Sequence, residues 1–212
     1  MNRSYAAVLL CLSVSGCGTY GESKIAQLDQ KTGLLQSDRK VTVAKIVVSK
    51  KLALSPYRKL VVISKDEFSP MNSNFKTDNI KQLRAINYFE EVLGFEDLQQ
   101  IVIFNNLQSK VTTLSNWGGV RDLYRAYKPF LVIHFKCIDS GDIVYRLIVT
   151  NPETLENVFV SEIEVHSKTG YGLIGLLTLG AGMNRNNMCT GSDQETRYPL
   201  FNSLIEWINQ NR

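Results

Sequence analysis

Nothing in the chain limits its fold as much as the run Phe130-Leu-Val-Ile-His-Phe-Lys-Cys137. A short apolar, partly β-branched run bounded by turn signals reads as a strand. Pro129 bounds it on one side and Asp139-Ser-Gly-Asp142 on the other. Two further strands follow, over 143–149 and 158–165. They form a hairpin around Asn151-Pro-Glu-Thr154. Upstream, the β-branched stretch Val41–Val48 and Leu60–Ile63 read as strands, separated by Ser55-Pro56.

Helices are expected between them. Thr77 or Asp78 is a plausible N-cap. Ile80, Leu83, Ile86, Phe89 and Leu93 then recur at three- and four-residue spacing, up to Gly94. Gln100–Phe104 reads as a short buried strand. Ser115 or Asn116 caps a second helix with Trp117, Val120, Leu123, Tyr124 and Tyr127 on one face. Pro199 starts a last helix with Leu200, Phe201, Leu204, Ile205 and Ile208 inward. The order is β-β-α-β-α-β-β-β-α. It predicts an α+β or α/β fold, a mixed sheet with helices packed on it.

The N-terminus is an address. Arg3 precedes an uncharged apolar run from Tyr5 to Val14. Such a run suits a secretory signal and is too short to cross a bilayer. Val14-Ser15-Gly16-Cys17 resembles the lipobox of bacterial lipoproteins. That resemblance implies cleavage after residue 16 and lipidation of Cys17, with two or three acyl chains for stable anchoring. Gly18 in place of aspartate resembles outer-membrane cargo. The expected division is signal peptide 1–16, lipidated cysteine and flexible tether 17–40, and a single periplasmic domain 41–212.

Of the 212 residues, 44% are hydrophobic and 21% charged, which fits one ordinary domain with a tail. The net charge of +4 is mild, and its charges are mixed along the chain, so nucleic acid is not an expected partner. Lys45, Lys50, Lys51, Arg58 and Lys59 cluster around the first strands. They read as a solvated face, or as a contact for anionic lipid if they lie near the anchor.

No catalytic constellation emerges. Cys137 and Cys189 are the two cysteines left after signal removal and lipidation. In an oxidising compartment they form one candidate disulfide, worth about 4 kcal/mol in the chain-entropy model. His134 reads as a half-buried strand residue and His166 as exposed. No G-x-S-x-G elbow accompanies them, and no zinc spacing occurs. Gly170-Tyr-Gly-Leu-Ile-Gly175 matches a dinucleotide fingerprint, but only 37 residues follow it, too few for that fold. No cofactor is expected. Trp117-Gly-Gly119 reads as core, or as a pocket at a helix start.

Tyr171–Met183 carries no charge and spaces glycines through leucines. Four readings stand: a buried edge strand or loop, a docking patch, a lipid contact, and a segment that refolds on assembly. As a docking patch it would use Leu173, Ile174, Leu176, Leu177, Leu179 and Met183.

The element order over residues 58–210 resembles envelope proteins with an α/β domain like the N-terminal domain of TolB, CsgG and LpoB. The matching parts are a helix ending at Tyr124–Tyr127, the strand Phe130–Phe135, the Asn151–Thr154 hairpin and the C-terminal helix. The resemblance implies a non-enzymatic adaptor or assembly factor at the outer membrane, docked to an envelope protein. The competing expectation is a small envelope hydrolase or a ligand or lipid carrier, with a pocket under 171–183.

Overall fold

The computed structural model describes residues 26–36, 43–63, 73–139, 143–165 and 194–212. Six strands form one sheet: β1 (Lys45–Ser49), β2 (Lys59–Ile63), β3 (Glu91–Gly94), β4 (Leu131–Asp139), β5 (Ile143–Asn151) and β6 (Glu156–Val165). Four helices accompany them: α1 (Ser73–Ala85), α2 (Phe95–Phe104), α3 (Trp117–Ala126) and α4 (Gln194–Asn211). The strand order is β1-β6-β5-β4-β2-β3. β2 runs parallel to β3 and β4, and the β4-β5-β6-β1 half is antiparallel. The expected mixed α+β sheet is therefore present.

The parallel half explains where the helices lie. The chain leaves β2, crosses to β3, then returns past β2 to β4. Right-handed crossovers in opposite directions place their helices on opposite faces. Leu83 of α1 accordingly packs with Leu60, Val62, Leu131 and Ile133. Leu98 and Val102 of α2 and Val120 and Leu123 of α3 pack with Val61, Ile63 and Val132. Every β2 residue is buried, as a strand covered on both faces requires. α4 closes the first face, where Trp207 stacks on Phe159 at 5.3 Å.

Three expectations are corrected. The helix expected from Thr77 to Gly94 begins at Ser73 and stops at Ala85. Asn87 turns the chain at φ 55°, and Glu91–Gly94 pair with β2 as a strand. The apolar spacing ran on because Ile86 and Phe89 of the turn fill the same core as Leu83. Gln100–Phe104, expected as a strand, belongs to α2. The Asp97 carboxylate accepts the Gly94 N–H at 2.6 Å, and Glu96 and Asp97 suit the positive end of the helix. α4 starts five residues before Pro199. The proline carbonyl accepts from the Ala44 N–H at 3.0 Å, so this proline ties the helix to the chain entering β1.

Candidate functional site

Part of the expected tether is docked. Leu28 and Leu35 form an antiparallel bridge, closed by a turn with Gly33 at φ 67°. The Asp29 carboxylate organises this turn. It accepts from the backbone N–H of Lys31 and Thr32, the Thr32 hydroxyl and the Gln36 amide, at 2.8–3.0 Å. Those donors, the Thr32 N–H foremost, hold the carboxyl below its ordinary range.

Two side-chain amides then grip the segment. Gln82 of α1 accepts from the Ala26 N–H at 3.1 Å and donates to the Ala26 carbonyl at 3.2 Å. Asn202 of α4 accepts from the Leu35 N–H at 2.7 Å and donates to its carbonyl at 3.1 Å. Each amide imitates a neighbouring strand by satisfying one residue's donor and acceptor together. Leu35 is 2% exposed and Asn202 fully buried. Residues 26–36 thus form a strap on the α1/α4 face rather than free linker. The clamping residues lie 56 and 167 positions away, beyond any local signal.

The opposite end of the sheet order is an edge. β1 lies outermost, and Ile46 and Val47 are exposed on it. Across this region Glu162 of β6 joins Lys45 at 3.3 Å and Arg146 at 2.7 Å. The Arg146 hydrogen bond is the main cause holding the Glu162 carboxyl low. Of the basic residues that cluster in sequence, Lys50 meets Glu156 at 3.2 Å and Arg58 meets Glu90 at 3.3 Å. Lys59, which is buried, pairs with Glu91 on the adjoining strand, whereas Lys51 is exposed. Four of the five thus enter separate ion pairs with different carboxylates.

A polar knot sits at the base of β2, β4 and β5. The Tyr57 and Tyr124 hydroxyls lie 3.4 Å apart, and Tyr124 donates to Glu153 at 3.4 Å. Burial first, then Tyr57, pushes the Tyr124 hydroxyl pKa up. On the β3 side, Ser55, Arg58, Asn87, Tyr88 and Arg212 line an open cleft of about 360 Å3.

His134 is buried on β4, in register with Ile63 and 6.1 Å from the Trp117 ring. It does not line that cleft. Trp117-Gly-Gly119 is packing. Asn116 caps α3 through the Gly119 N–H at 3.0 Å, and a Cβ on Gly119 would fall 1.6 Å from the Thr113 carbonyl oxygen. Cys137 lies in β4 opposite Tyr145. Its side chain, Cys17, Cys189, His166 and the whole 171–183 patch lie outside the described residues. Among the described residues no helix is long and apolar enough to cross a membrane, and no cluster suits a metal.

No family model matches the chain, and no curated protein matches it in sequence. Among solved structures it is similar to the LpoB C-terminal domain from Salmonella enterica. That similarity has 13% identity, covers 56% of this chain and 84% of that one, and has a TM-score of 0.33. The LpoB C-terminal domain from Escherichia coli gives 11%, 50% and 81%, with TM-score 0.33. The PelC dodecamer from Paraburkholderia phytofirmans gives 12%, 65% and 91%, with TM-score 0.28.

Proposed function

We propose that the chain is a lipid-anchored envelope adaptor without a reaction of its own. Cys17 carries the acyl anchor in the outer membrane, and the domain faces the periplasm. The strap holds the domain close to the bilayer, and a protein partner docks on the domain. The 171–183 segment, with Leu173, Ile174, Leu176, Leu177, Leu179 and Met183, supplies the apolar contact. A Cys137–Cys189 disulfide ties that connection to β4. The observation that carries the reading is the continuity from address to domain. Val14-Ser15-Gly16-Cys17 is followed, nine residues later, by a segment gripped by two buried-side amides.

The test is crosslinked capture from intact cells, combined with membrane fractionation. Wild type is expected to stay with membranes after a salt wash and to yield one defined partner. Cys17→Ser is expected to leave the membrane. A variant with Leu173, Leu176 and Leu179 changed to serine is expected to fold and lose the partner. Membrane retention of Cys17→Ser overturns the anchor. An undiminished partner in the folded leucine variant overturns the docking patch.

A further inference from the structure

The cleft beside β3 gathers two arginines, an asparagine and a serine around one tyrosine ring. Tyr88 is one of its lining residues. Its hydroxyl donates to the Leu54 carbonyl at 2.9 Å, and Phe89 packs against it edge-on at 5.0 Å, so the ring is held. Two guanidiniums converge on this one ring, Arg58 at 4.6 Å and Arg212 at 5.0 Å from its centroid. They can stand no farther apart than those two distances laid end to end. Such stacking presents the planar fork of an arginine to a ligand with little further ordering.

Of the two guanidiniums, one has a side-chain ion-pair partner among the described residues. Glu90 reaches Arg58 at 3.3 Å, but both side chains are substantially exposed, and such pairs are weak. Arg212 makes no ion pair among the described residues. The Asn87 amide and the Ser55 hydroxyl line the same cleft and make no side-chain hydrogen bond among the described residues. Asn87 is fixed there by its left-handed backbone at φ 55°. Two cations and two neutral donors therefore face about 360 Å3 of open space.

We propose that this cleft binds a phosphate-bearing ligand. Arg58 and Arg212 would supply the charge, and Asn87 and Ser55 would hydrogen-bond the remaining oxygens. A phosphate monoester brings close to two negative charges and three acceptor oxygens. That matches two guanidinium forks better than a carboxylate, whose single charge Glu90 already offers to Arg58. The phosphate belongs either to a soluble monoester or to a lipid headgroup. This site does not depend on the adaptor role.

The test uses the full-length chain carrying Cys17→Ser, so that no acyl group competes at a membrane. Inorganic phosphate is titrated at constant ionic strength while the thermal midpoint is followed. A saturable rise is expected in this protein. Adding Arg212→Gln removes only a stacking contact, so folding is retained, and about tenfold more phosphate is expected for the same rise. Arg58→Gln is expected to weaken binding to a similar degree. Vesicles of phosphatidylcholine with and without phosphatidic acid separate the sources. Arginine-dependent sedimentation with phosphatidic acid identifies a lipid headgroup. A phosphate response without sedimentation identifies a soluble monoester. An absent rise, or an equal rise in Arg212→Gln, overturns the proposal.

Discussion

Asp29 and Glu162 are two carboxylates doing local work that pH can reveal. Both are held below their ordinary range, Asp29 by N–H donors of its turn and Glu162 by Arg146 and then Lys45. A depressed folded value means stability that is present above the unfolded carboxylate range near pH 4. It is lost as pH falls through the lower, folded value. Urea midpoints measured from pH 6 to pH 3 are expected to fall less steeply in Asp29→Asn and Glu162→Gln than in wild type. Protection of the Thr32 amide, taken relative to its intrinsic exchange rate at each pH, is expected to fall over the same range only where Asp29 is present. Asn202 works differently, because it is buried and uncharged. Asn202→Ala leaves the Leu35 N–H and carbonyl without their partner, which costs about 1–3 kcal/mol. Denaturant unfolding gives the magnitude. Faster amide exchange confined to 26–36 is expected to locate it in the strap.

At the scale of elements, α2 shows how a short apolar run divides. Leu98 and Val102, four residues apart, enter the core, while Ile103 and Phe104 face outward, Phe104 at 78% exposure. A strand over 100–104 would have buried alternate residues instead. Leu98→Ala is therefore expected to cost about 2–5 kcal/mol, in the range of buried leucine truncations. Phe104→Ser is expected to stay within about 0.5 kcal/mol. Thermal and urea unfolding of the pair check this, and equal losses at both positions would contradict the helix. α3 is the opposite case. Its cap at Asn116 and its face of Val120 and Leu123 are local properties, and both were legible in the residues. The hairpin of β5 and β6 was legible for the same reason. Asn151 caps its own turn, accepting from the Glu153 N–H at 2.9 Å.

For the whole molecule, the sequence by itself determined the mixed sheet, its strand-rich second half and five of its six strands, while the third strand, expected at 100–104, lies at Glu91–Gly94. Those follow from hydrophobic period and turn residues, readable within a few neighbouring positions. The boundary between α1 and β3 was not readable that way. Ile86 and Phe89 keep the spacing of a helix face while belonging to a turn, since burial against a shared core imposes the same residue types on both. Nor could composition distinguish a free tether from a strap. Residues 26–36 are short and mixed in polarity, and what orders them is supplied by Gln82 and Asn202. The cleft is the same kind of fact. Ser55, Arg58, Asn87, Tyr88 and Arg212 share no motif. Only the tertiary structure set them side by side, because the last turn of α4 is held against 52–54 by the carbonyl and amide of Asn211, beside the turn that follows α1. Contacts between distant segments depend on how whole elements pack, and no local pattern encodes that.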